Sequence, residues 1–298
     1  ISWGTTSNMV ADSIFQLAVN GFDLGKWQAF TGGSVPQGLV QANLKVTSQG
    51  AGKFLLFNAD AQISQLALIV ASNRVSNLGI SFSTSAKATD LAQYDVADLK
   101  FGMSQAGQEA LSASGKGFYN MTNGAASFDI QGSAALPTVL KLAGMPDLAA
   151  TSGTATFQTK IEQKNEQQQI TGKAGLSDFT GNFGSNVFQA FGMQADFDLA
   201  MDTNLVNIRK LSGSLSGSKQ PGGSFQVGGT YTFANGAANL KVALQGFNQN
   251  GLRPFLEPML TGKQLVSVGL NGTSDVQFNP SADSVIKGAL QLTNLVVK

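Results

Sequence analysis

Asp196, Asp198 and Asp202 lie close together, and the alternation of a strand puts the first two on one face. Paired carboxylates at such a spacing could serve general acid–base chemistry or hold a divalent cation. A solvated strand face uses the same residues and is the preferred reading, so no catalytic, cofactor-binding or metal-ligating residue is expected. The chain has no His and no Cys. That excludes Ser-His-Asp and Cys-His nucleophiles, imidazole–metal sites and disulfides. Gly222-Gly223 and Gly228-Gly229 are not followed by Lys-Ser/Thr on a helix, so they do not make a phosphate loop. A bulge at Gly228-Gly229 and a turn at Gly222-Gly223 are expected instead. Trp27 and Phe30 could touch lipid or a partner, but packing of a short helix on a sheet end is preferred.

The elements that position these residues are strands. Charged residues make up only 12% of the chain, about half the usual share, while Gly, Ser, Thr, Asn, Gln and Phe abound, as in long, weakly charged strands. Lys+Arg 19 against Asp+Glu 18 leaves a net charge of +1. No basic face of any size is expected, and nucleic acid is not an expected partner. No apolar run reaches the roughly 18 residues of a transmembrane helix, and there is no signal peptide. The first residue is Ile, and a processed or partial piece of a longer chain is expected.

Phe225, Val227, Tyr231 and Phe233 fall on one side of a period-2 pattern, and Leu240, Val242 and Leu244 do the same after Asn235-Gly236. Alternating runs joined through Asn-Gly predict a hairpin whose turn residues adopt positive φ. The letters Asn-Gly-Ala-Ala also occur at 123–126, 112 residues earlier. Strand endings repeat as Val19-Asn20-Gly21, Ile130-Gln131-Gly132 and Leu244-Gln245-Gly246, spaced by 111 and 114 residues. A short helix is predicted after each: Asp23–Phe30 with Asp23 as N-cap, Leu136–Leu142 with Pro137 in its first turn, and Gly251–Leu260. Gly32, Gly144 and Gly262 act as stops.

An alternating strand follows each helix, carrying Leu44 and Val46, then Phe157, then Val268 and Leu270. A return strand then ends in a shared signature: Ile63-Ser64-Gln65-Leu66, Leu176-Ser177-Asp178-Phe179 and Leu292-Thr293-Asn294-Leu295. Further strands fill each unit; Phe197 and Leu199 belong to the cleanest, Met193–Met201. The repeat length is about 110–116 residues, longer than a solenoid period. The expected division is a remainder at 1–12, unit 1 at 13–132, unit 2 at 133–246 and a partial unit 3 at 247–298. Each unit is expected to hold one short helix and about six strands in antiparallel order.

Meandering strands, Gly and Asn turns, one short helix per unit, and endings of the type apolar-Ser/Thr-polar-apolar resemble the AsmA-like family of bacterial envelope proteins, which includes the TamB-like proteins. Phe247–Leu295 and Ala135–Phe179 carry the likeness best. The resemblance implies a mostly β, elongated protein whose antiparallel meander repeats form a curved, groove-like sheet. It implies a non-enzymatic, periplasmic role, with an anchoring transmembrane segment outside the covered chain. It also implies lipid handling between inner and outer membranes, or envelope assembly, with phospholipid or another acyl-chain lipid and envelope proteins as partners.

On the residues alone, an antiparallel sheet with one apolar face must hide that face. If the sheet stays open, acyl chains are its natural content, at about 0.8 kcal/mol per CH₂ removed from water. The expected lining is Leu44, Val46, Phe157, Phe197, Leu199, Phe225, Val227, Tyr231, Phe233, Leu240, Val242, Leu244, Val268 and Leu270. Periodicity leaves open a closed sandwich or barrel core in its place; the resemblance favours the groove. Tyr 3 and Trp 2 are too few for the girdles of an outer-membrane barrel. The rival functions are a ligand-free β-scaffold subunit of an envelope or surface complex, and a polysaccharide-acting enzyme using Asp196 to Asp202.

Overall fold

The structure, a computed structural model, describes residues 12–27, 36–70, 73–145, 147–260 and 262–298. Phe30, Gly32 and the segment before residue 12 lie outside the described residues. The chain divides into two units, Ile1–Gly144 and Met145–Lys298. The first runs β1 (Ser13–Asp23), a 3-10 turn (Leu24–Trp27), β2 (Gln37–Gln49), β3 (Phe54–Val70), β4 (Asn73–Thr89), β5 (Gln93–Gln105), β6 (Gln108–Asn120), β7 (Ala125–Ala135) and α1 (Leu136–Ala143). The second runs β8 (Leu148–Lys164), β9 (Gln167–Phe183), β10 (Asn186–Met201), β11 (Leu205–Gly217), β12 (Gln220–Thr232) and β13 (Ala238–Asn248). It continues through α2 (Gln249–Leu256), a 3-10 turn (Glu257–Met259), β14 (Leu265–Phe278) and β15 (Val285–Val297).

Within each unit every strand pairs antiparallel with the next in sequence. Among the described residues the first and last strands of a unit do not pair with each other, so neither sheet closes into a barrel. The mostly β, antiparallel meander expected from the alternation is the observed architecture. Six strands, β2–β7, separate the first 3-10 turn from α1, and six more, β8–β13, separate α1 from α2. Among the described residues no helix is long and apolar enough to cross a membrane.

The Asn-Gly hairpin forms, but its turn differs from the expected one. Thr232 N–H donates to Ala237 O at 2.8 Å across four residues, and only Gly236, at φ 66°, is left-handed. Asn235 contributes its side chain instead, Oδ1 accepting from Ala237 N–H at 3.0 Å. The earlier copy is the same turn: Gly124 has φ 66° and Asn123 Oδ1 accepts from Ala125 N–H at 3.0 Å. An Asx side chain holding its own turn explains why both copies keep Asn before Gly. Left-handed Ser218 and Lys219 make the tight β11–β12 connection without glycine.

The helices stand near the expected positions. Asp23 Oδ1 accepts from Gly25 N–H at 2.9 Å and so caps the first 3-10 turn. Pro137 sits in the first turn of α1, and Gly144, at φ 63°, ends it. α2 begins two residues before the expected Gly251, because Asn248 Oδ1 accepts from Asn250 N–H at 2.9 Å. Pro258, just past α2, falls in the 3-10 turn.

The shared signature is a bulge. Gln65, Asp178 and Asn294, third in the three copies, have φ of 54°, 51° and 51°. Strand register shifts beside each of them. Ser152 Oγ donates to Asp178 O at 2.7 Å, and Ser267 Oγ to Asn294 O at 2.6 Å. An extra left-handed residue bends its strand locally. Of the apolar-amide-Gly endings, Gly21 and Gly246 are bulges with φ 66° and 61°, whereas Gly132 pairs regularly with Ala113.

Candidate functional site: an uncharged apolar face

Strand register sorts side chains into rows, and in both units one face carries no charge. In the first unit, rows run Phe15, Val46, Phe57, Ala86, Val96, Gly117, Phe128 and Leu17, Leu44, Ala59, Thr84, Leu99, Gly115, Ile130. The opposite face reads Ala18, Asn43, Asp60, Ser83, Lys100, Ser114, Gln131. Leu44 and Val46 therefore stand on the apolar face of the first unit, both half-buried.

In the second unit Ile161, Ile170, Leu199, Ile208, Gly229, Leu240, Val276 and Ile286 form one row. Phe197, Leu211, Val227 and Val242 share a second, and Phe157, Ala174, Ala195, Gly213, Phe225 and Leu244 a third. Tyr231 and Leu270 stand on the same face, opposite Val206 and Leu292. The face is thus built from most of the expected lining residues of the second unit. Phe233 lies just past the end of β12, in the β12–β13 loop, with its ring centroid 5.7 Å from that of Tyr231. Ile170, Ile208, Leu99 and Phe101 belong to these faces and were not among the expected residues; only the cross-strand register shows which rows they join.

Several glycines are covered by rings from the neighbouring strand. A Cβ on Gly172 would lie 2.7 Å from Phe197 Cζ, and one on Gly213 would lie 2.7 Å from Phe225 Cζ. The rings lie along the sheet surface and take the space a side chain would fill.

The face is packed at one end and open elsewhere. In the first unit Leu66, Val75 and Leu78 are buried, and Leu142 of α1 packs on them. In the second, the Phe188 ring lies 5.2 Å from Phe179, 5.2 Å from Phe191 and 5.8 Å from Phe255 of α2. α2 comes this close because Gly222 and Gly251 meet backbone to backbone; a Cβ on Gly222 would lie 2.6 Å from Gly251 Cα. Val268, 4% exposed, belongs to this packed end and does not line the open part. Away from the helices Phe157 remains 41% exposed, Tyr231 38%, Phe82 38% and Leu99 38%. A sealed sandwich core would bury rings and leucines at such positions.

The carboxylates singled out in the sequence occupy the other face. Asp198 Oδ1 accepts from Gln169 Nε2 at 3.0 Å and lies 4.0 Å from Arg209 Nη1. Asp196 lies 3.9 Å from Lys173 Nζ. Asp202 turns onto its own backbone, accepting from Asn204 and Leu205 N–H at 2.8 and 2.9 Å. The three acids thus serve two surface ion pairs and one turn. Gly228-Gly229 lies opposite the β11 bulge at Arg209-Lys210, and Gly222-Gly223 under α2, so the second pair marks a close approach and not the expected turn.

The even charge balance hides one local concentration. Arg209, Lys210, Lys241 and Lys287 line a depression of about 650 Å³ on the second unit, together with Asp275. The expectation that no basic face of any size could form is corrected to that extent. The acids interleaved with these cations limit its field. Comparison of the chain with protein-family models, with curated proteins and with solved structures returned no match.

Proposed function

We propose that the protein is a non-enzymatic lipid-handling component of a bacterial envelope, taking acyl chains against the apolar faces of its sheets. One observation carries this reading. Each sheet has a face without a single charged residue, packed by a helix at one end, with Phe82, Leu99, Phe157 and Tyr231 more than a third exposed away from it and most of the other rings and leucines of its rows only half-buried. Water against that face is costly, and each methylene laid on it recovers about 0.8 kcal/mol. The AsmA-like resemblance supplies the setting: a periplasmic protein between membranes, working in lipid transfer or outer-membrane assembly.

The test is direct. The purified protein is extracted and its lipids identified by mass spectrometry, and a fluorescent fatty acid is titrated into the delipidated form. Lipid in the extract and saturable probe binding are expected. The double substitution Val227→Asp and Val242→Asp places charge on adjacent positions of one row and is expected to weaken probe binding at least tenfold, with the far-UV spectrum retained. Lipid-free protein that binds no acyl probe overturns the proposal.

A further inference from the structure

The backbone accounts for only one member of the Gly228-Gly229 pair. Gly229 has φ 139°, and a Cβ there would strike Asn239 O. Gly228 is not left-handed, and a Cβ on it would meet Ile208 O alone, at the ordinary contact distance of 3.5 Å. Neither strain nor crowding requires glycine at 228. A glycine of this kind inside a strand leaves room for a ligand to approach the backbone.

The surroundings of that room are cationic. Gly228 pairs with Lys241, Lys241 with Asp275 and Asp275 with Lys287, so these residues share one row on the face opposite the apolar rows. On the other flank β11 holds an extra residue. Ile208 pairs with Gly229 and Leu211 with Val227, which leaves Arg209 and Lys210 together against Gly228. The bulge thus adds a cation beside the gap. Two strand spacings, about 10 Å, separate the backbones of Lys210 and Lys241, with no side chain between them at Gly228. Ser212 and Gln226, a paired hydroxyl and amide, stand in the adjoining row and offer neutral donors.

These cations are mostly uncommitted. Among the described residues the ammonium groups of Lys210, Lys241 and Lys287 make no hydrogen bond or ion pair. Arg209 has only the loose contact of 4.0 Å with Asp198 Oδ1. The depression sets four cations against one carboxylate, Asp275, an excess of three positive charges within about 650 Å³, in a chain whose net charge is +1. Asp275 stands between Lys241 and Lys287, so the stronger cationic end is the one over Gly228. A phosphate ester carries about −1.5 to −2 charges at pH 7. It accepts from several directions at once, from arginine as a fork and from lysine as a movable point charge. The volume also admits an organic group attached to the phosphate.

We propose that the hollow over Gly228 binds a phosphate-bearing anion, held by Arg209, Lys210 and Lys241. Its walls are interior strands: β11, β12 and β13 are each paired on both sides within the unit. The site lies on the opposite face of the sheet from the acyl contact, so each can fail without the other.

Inorganic phosphate is titrated into the whole protein at low salt and followed by calorimetry. In parallel, the protein is floated with phosphatidylcholine vesicles with and without phosphatidylglycerol. Saturable phosphate binding assigns a soluble anion; flotation that requires phosphatidylglycerol, without phosphate binding, assigns a lipid headgroup. Lys210→Gln with Lys241→Gln is expected to weaken whichever is seen at least tenfold, as loss of charged hydrogen bonds does. Gly228→Val keeps every charge and fills the hollow, and a comparable loss is expected with the unfolding midpoint held. Absence of both kinds of binding overturns the proposal, as does binding that survives the lysine pair. Binding that survives a folded Gly228→Val also overturns it, because charge without the hollow then suffices. Should Gly228→Val not fold, the lysine pair decides alone, since both side chains are exposed.

Discussion

Leu66, Phe179 and Leu295 hold equivalent positions in one repeated signature, yet they do different energetic work. Leu66 is packed by Val75, Leu78 and the α1 residue Leu142, so truncation leaves a cavity that its neighbours only partly fill. Leu66→Ala is expected to cost about 2–5 kcal/mol. Leu295, half in solvent, has little packing to lose, and Leu295→Ala is expected to cost about 1 kcal/mol or less. Urea unfolding of the two variants checks the contrast. Similar costs would mean that Leu295 is covered in the folded protein.

At the scale of elements, the helices decide where each sheet has a core. α2 has only eight residues and contains Pro254, so its intrinsic stability is low and docking must hold it. Docking depends on backbone contact between Gly251 and Gly222, beside the Asn248 cap. In an isolated helix Gly→Ala gains about 1 kcal/mol of propensity. Here the added Cβ would meet the Gly222 carbonyl, and overpacking of that kind costs about 1–3 kcal/mol. The clash therefore outweighs the propensity, and Gly251→Ala is expected to lower thermal stability and raise the fluorescence of a dye that reports exposed apolar surface. A rise in melting temperature would show that α2 is not tightly docked.

Across the whole molecule, charge is segregated by face. Asp60, Lys100, Asp196, Asp198, Lys210, Lys241, Asp275 and Lys287 all stand opposite the apolar rows. The apolar rows are left partly in water, so an occupant that covers them stabilises the folded chain by linkage. At acyl-chain concentrations a hundredfold above Kd the gain is about 2.7 kcal/mol. Delipidated protein is therefore expected to melt at a lower temperature than loaded protein and to recover on adding a fatty acid. A midpoint indifferent to lipid would disconnect the open face from acyl binding.

Period-2 alternation in a chain with little charge sufficed for the strands, because a pleated strand shows alternate residues to opposite faces and burial favours only one of them. Repeated local chemistry likewise marked the turns at Asn123 and Asn235, the Asp23 cap and the Gly144 stop, since each is satisfied by atoms a few residues away. Other features required chain segments far apart in sequence. Burial of Val268 under the helix-bearing end, exposure of Leu295, and the gathering of Lys210, Lys241 and Lys287 at one depression all depend on which strand lies beside which. The left-handed bulge at Gln65, Asp178 and Asn294 looked in sequence like a strand ending, and pairing turned it into a bend. Whether the apolar face is sealed or open is likewise a tertiary matter: alternation is identical in both cases, and only the placement of the few helices decides it.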